Sequence, residues 1–106
     1  MDKYYKLVRD KIPQIIKKDG QIPRVTKLKM DKFKRELLKK LVEEASETLK
    51  AENNEELAKE IADILEVIDY IIKTFKLNKK EIEKLKRQRK KLRGGFDKKI
   101  FLEYIE

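Results

Sequence analysis

The sequence predicts an all-α fold: a small helical bundle around an antiparallel two-helix hairpin, with a short extended C-terminal tail. Three observations predict it. Two long segments place apolar residues at helical spacing. Between them stands Asn53-Asn54, a pair suited to a turn and a helix start. Only 2 prolines and 3 glycines occur in 106 residues, so little interrupts the helices.

A short helix is expected over about residues 11–18, with Pro13 in its first turn and Gly20 as the stop. Asp31 is a candidate cap for a helix running to about residue 52. Phe33, Leu37, Leu38, Leu41, Val42, Ala45 and Leu49 form its apolar positions. Asn54 is the expected cap of the next helix, with Glu55 and Glu56 favouring its N-terminus. That helix extends to about residue 76 and is strongly apolar, from Leu57 and Ile61 to Ile72 and Phe75. Asn78 caps a fourth helix over 79–93, which Gly94-Gly95 ends. Its narrow apolar face is Ile82, Leu85 and Leu92. The tail FDKKIFLEYIE alternates imperfectly and reads as a short strand or an extended arm.

Length allows one domain, 1–106, and 46% charged residues leave it a thin core. Self-association would complete such a core, so a homodimer or homotetramer is expected. No cysteine or histidine is present, which removes disulfides, zinc sites of the usual kind and His-dependent nucleophilic machinery. No apolar run approaches a membrane span, and the first residues lack a signal peptide's apolar centre. A cytoplasmic protein without a membrane partner is the expectation.

The net charge of +9 is unevenly spread. Residues 1–40 hold 14 basic and 5 acidic groups, 41–69 hold 2 and 10, and 79–99 hold 11 and 3. An acidic centre thus lies between basic flanks. The flanks are either solvated helix faces or surfaces for polyanions, meaning nucleic acid or a nucleotide's phosphates.

The acids of the centre have an order of their own. On a helical wheel, Glu44 and Glu47 fall roughly 100° and 160° from the centre of the first long helix's apolar stripe. Glu60 and Asp63 fall about 80° and 140° from the second's. Glu43 lies on the opposite face. About a turn centred between Asn53 and Asn54, Glu47 mirrors Glu60 and Glu44 mirrors Asp63. An antiparallel hairpin therefore brings four carboxylates together. Taken singly, each such acid is usually no more than a solvated face. Together they would repel by several kcal/mol at an intermediate dielectric, roughly. No Lys or Arg follows any of them at i+4. Raised pKa values, lysines reaching in (Lys40, Lys50 or Lys59) or a bound cation must offset the repulsion. An all-oxygen set suits Mg²⁺, with Mn²⁺ as a substitute.

Glu43-Glu44-x-x-Glu47 followed by Glu60-x-x-Asp63 resembles the E-E-x-x-E…E-x-x-D signature of the MazG-like all-α nucleoside triphosphate pyrophosphohydrolases, relatives of the phosphoribosyl-ATP pyrophosphohydrolases. KLVRDKIP (residues 6–13) and RGGF (93–96) resemble the ends of a compact branch of that superfamily. The resemblance implies a usually dimeric or tetrameric bundle that hydrolyses nucleotides between the α- and β-phosphates with Mg²⁺. It implies that Glu44, Glu47, Glu60 and Asp63 ligate the metal, with Glu43 as the motif's first acid in an outer-shell or structural role. Ser46 stands where many relatives have Gly. Nothing matches the extra acidic motifs of the dUTPase-like relatives, which argues against dUTP specificity. Lys6, Arg9, Lys11 and Arg93 are the candidates to hold substrate phosphate, followed by Lys90 and Lys91.

Two other readings compete. A nucleic-acid-binding module would use residues 79–99, yet the basic residues there are not interleaved with aromatics for stacking. A non-catalytic helical interaction module would keep the acids as surface charge.

Overall fold

The computed structural model describes residues 4–106. Among the described residues the elements are four helices and no strand: α1 (Ile12–Lys18), α2 (Met30–Thr48), α3 (Asn54–Thr74) and α4 (Lys79–Arg93). The chain divides into two units, one ending at Lys76 and a second, Leu77–Glu106.

In the first unit, α2 and α3 pack as a hairpin. Leu37 and Val67, 4% and 9% exposed, are its buried apolar side chains. The antiparallel sense shows at both ends. Lys34, near the start of α2, lies over the Phe75 ring at the end of α3, 5.3 Å from its centroid. Glu44, in the later half of α2, meets Glu60 and Asp63 on α3.

Helix limits differ from expectation where local hydrogen bonds decide them. The α2 cap is Lys29, whose carbonyl accepts from the Phe33 N–H, and Asp31 sits inside the first turn without capping. The helix stops at Thr48, short of residue 52. There the Ser46 and Thr48 hydroxyls donate to the Val42 and Ala45 carbonyls, competing with the helical ladder. The N–H groups of Leu49, Lys50 and Ala51 then bond three residues back, a tightened final turn. The α3 cap is Asn53 rather than Asn54. Its side chain accepts from the Glu56 N–H at 2.9 Å, and the Glu56 carboxylate accepts from the Glu52 N–H at 2.9 Å. These reciprocal bonds resemble a capping box and fix the hairpin's corner.

The other boundaries follow expectation closely. Pro13 is in the first turn of α1. Gly20, at φ +83°, ends α1 with its N–H on the Lys17 carbonyl, while the Gln21 N–H reaches Ile16. In the second unit, Asn78 caps α4 through the Glu81 N–H, and Gly94, at φ +84°, terminates it. Of the two readings of the tail, the structure shows the arm. Residues 99–106 adopt no regular element, and Phe96 is 97% exposed.

Candidate functional site

The site grows from the corner of the hairpin. With Asn53 fixing the start of α3, Glu60 and Asp63 face the margin of α2 that carries Glu44. One carboxylate oxygen from each of Glu44, Glu60 and Asp63 lies within 4.8 Å of the others. All three side chains are partly buried at the edge of the apolar seam. Glu47 stands outside this close group. It lines a depression of about 210 Å³ together with Glu60, Lys50, Ala51, Glu56 and Lys59.

The repulsion anticipated from sequence is met unevenly. Lys40, four residues before Glu44, lies 3.5 Å from it and 3.3 Å from Glu43. Lys50 lies 3.4 Å from Glu47. Lys59 turns instead to Glu55 at 3.7 Å. The compensation at Glu44 thus comes from i−4, a position that inspecting only i+4 overlooks. Glu60 has no cationic partner among the described residues. Partial loss of solvent, then the charges of Asp63, Glu44, Glu47 and Glu56, push its carboxyl above the ordinary value. The cluster therefore retains uncompensated negative potential centred on Glu60. That potential and the oxygen-only donor set fit a hard divalent cation.

The N-terminal segment brings the next layer of charge. Lys6 Nζ donates to Glu43 Oε1 at 3.1 Å. Arg9 Nη2 donates to Asp63 Oδ1 at 2.9 Å, and Nη1 lies 3.8 Å from Glu66 Oε2. Burial alone would raise the Glu43 carboxyl. The bond from Lys6 and the charge of Lys40 outweigh burial and hold it below its ordinary value. Glu43 is thus paired with Lys6 of the N-terminal segment and shares Lys40 with Glu44, outside the close trio.

Lys11 caps α1 and makes no ion pair among the described residues. Arg93, Lys90 and Lys91 lie in the last turn of α4, in the second unit. Glu66 was not anticipated. Its signal is legible all the same, since Glu56, Glu60, Asp63 and Glu66 continue one acidic edge of α3 at spacings of four and three.

No described helix is long and apolar enough to cross a membrane. The phosphoribosyl-ATP pyrophosphohydrolase family model matches residues 9–90, the span holding the hairpin and all five signature acids. No curated protein and no solved structure matches the chain. Enzymes of that family are metal-dependent pyrophosphohydrolases, the chemistry for which a carboxylate cluster on facing helices is suited. With four helices, a converged acid trio and a match over most of its length, this chain belongs to the phosphoribosyl-ATP pyrophosphohydrolase family, within the MazG-like all-α superfamily.

Proposed function

We propose that this chain is a Mg²⁺-dependent nucleotide pyrophosphohydrolase that cleaves a nucleoside triphosphate, or a related nucleotide, between the α- and β-phosphates. The products are a nucleoside monophosphate and pyrophosphate. The single observation that carries this reading is the convergence of Glu44, Glu60 and Asp63 within 4.8 Å, in a family of pyrophosphohydrolases.

In this reading Glu44, Glu60 and Asp63 hold the cation. Glu47 joins them from its place beside Glu60 once its contact with Lys50 is given up. A divalent cation held there would supply charge neutralisation for phosphate oxygens and a more acidic water. The protein's own groups do the rest. An ionised carboxylate of the acidic edge that is not ligating accepts the proton of the attacking water. Arg9 and Lys6, with Lys11, clamp the charge of the leaving pyrophosphate. Glu43 keeps the segment that carries Lys6 and Arg9 on the hairpin. The family match runs across the boundary at 76–77, which supports reading 1–106 as one family domain.

The family's name makes phosphoribosyl-ATP a substrate to test beside ordinary and modified nucleotides. The KLVRDKIP and RGGF ends favour the compact branch, and with it a house-cleaning role in removing aberrant nucleotides. Pyrophosphate release should be followed with Mg²⁺ over NTPs, dNTPs, their modified forms and phosphoribosyl-ATP. At least one is expected to turn over, with loss of activity in Glu60→Ala and Asp63→Ala. Full activity in either variant overturns the proposal.

A further inference from the structure

Arg9 stands where the proposed site has to take its cation. Its guanidinium touches Asp63 at 2.9 Å and reaches toward Glu66 at 3.8 Å. Asp63 belongs to the converged trio, whereas Glu66, nearly one turn further along α3, does not. The guanidinium therefore straddles the edge of the cluster. A positive charge this close to Asp63 opposes any divalent ion entering beside it.

The other two members of the trio are placed differently. Glu60 carries no cation among the described residues, and Lys40 approaches Glu44 from its own helix. Arg9 alone comes from a different segment, residues 4–10, which has no regular structure up to Arg9 and is tied to the hairpin by side-chain ion pairs. Its side chain is 58% exposed, so a change of rotamer moves the charge without unpacking the core. Guanidinium binds carboxylate and phosphate with the same fork of donors, so what leaves Asp63 is already shaped for a phosphate.

We propose that Arg9 is an exchangeable counter-ion of the acid cluster. It neutralises Asp63 while no divalent cation is bound, is displaced from Asp63 when one binds, and is thereby released to the anionic substrate. This rests on the reading of the acids as metal ligands given above. Two consequences follow from linkage. The ion pair lowers apparent metal affinity, because the free cluster must first surrender Arg9. Metal and nucleotide also bind with positive coupling, each favouring the state in which Arg9 has left Asp63.

The test uses Mn²⁺ alone, without nucleotide, titrated calorimetrically into the full chain. Arg9→Met should bind Mn²⁺ about fivefold more tightly than wild type, the worth of an exposed ion pair, yet hydrolyse nucleotide more slowly. Arg9→Lys should return Mn²⁺ affinity toward wild type. Lys18→Met removes a charge from the adjoining helix α1 and should leave Mn²⁺ affinity within about twofold. In ¹⁵N-labelled wild type, the Arg9 side-chain N–H signals should move in step with added Mg²⁺. Unchanged or weaker Mn²⁺ binding in Arg9→Met, while Glu60→Gln still abolishes wild-type binding, overturns the exchange and leaves the metal site standing. Absence of Glu60-dependent Mn²⁺ binding in both wild type and Arg9→Met overturns the exchange and the metal site together.

Discussion

Glu60 and Glu43 are two carboxyls on the hairpin with opposite fates. Glu60 loses solvent and faces other acids, and is pushed up. Its ionised form is disfavoured in the folded chain, so its contribution to stability is fully present below the ordinary carboxylate value and is lost as pH rises through the raised one. Glu43 is held down, chiefly by Lys6 and Lys40 against the effect of burial. Its contribution is present above the ordinary value and is lost as pH falls through the lowered one. Urea midpoints measured in chelator from acidic to neutral pH should show both effects. Glu60→Gln should stabilise the metal-free protein at neutral pH, and Glu43→Gln should flatten the loss of stability in acid. A destabilised Glu60→Gln would mean that the cluster is not strained by its own charge. At the level of catalysis, Glu60→Ala and Asp63→Ala should each lower pyrophosphate release by about 100-fold or more, as removal of a charge-stabilising group does. Their circular dichroism should remain that of a helical protein.

At the scale of elements, side-chain caps decide where the helices begin. Asn53 and Asn78 each accept a backbone N–H three residues on, at 2.9 and 3.1 Å. Asn53→Ala should cost about 1 kcal/mol in urea unfolding. Asp31→Ala should cost only about 0.3–1 kcal/mol, because Asp31 interacts with the helix dipole and caps nothing. Equal losses would show that Asp31 caps α2 in solution. The existence of all four helices was legible from apolar spacing, and α4 was legible to its ends. The shift from Asn54 to Asn53 was not, because two adjacent asparagines are equivalent until Glu56 turns back to the Glu52 N–H. Nor was the early end of α2. Ser46 and Thr48 read as ordinary helical residues until their hydroxyls are seen bonding the preceding carbonyls.

For the whole molecule, the apolar residues outnumber the positions that one chain can bury. Leu38 and Val42 on α2, Leu49 just past its end, and Leu57, Ile61 and Leu65 on α3 are exposed, Val42 66% and Leu49 91%. Exposed apolar side chains at helical spacing on both helices support the expected homodimer or homotetramer. Sedimentation equilibrium should give a mass above that of one chain, and Val42→Lys should lower it. A monomeric wild-type chain would remove that proposal. Among the described residues Leu37 is the most buried, and Leu37→Ala should cost about 2–5 kcal/mol.

The sequence by itself determined the helical class, the turn at Asn53-Asn54 and the order of acids on either side of it. Periodicity and capping are local, so they are written in the residues themselves. Tertiary structure decided which charges share a point in space. It gathered Glu44, Glu60 and Asp63, left Glu47 aside with Lys50, and set Arg9 against Asp63, 54 positions further along the chain. An ion pair depends on distance in space, and no spacing along the chain encodes the path by which residues 4–11 return to the hairpin.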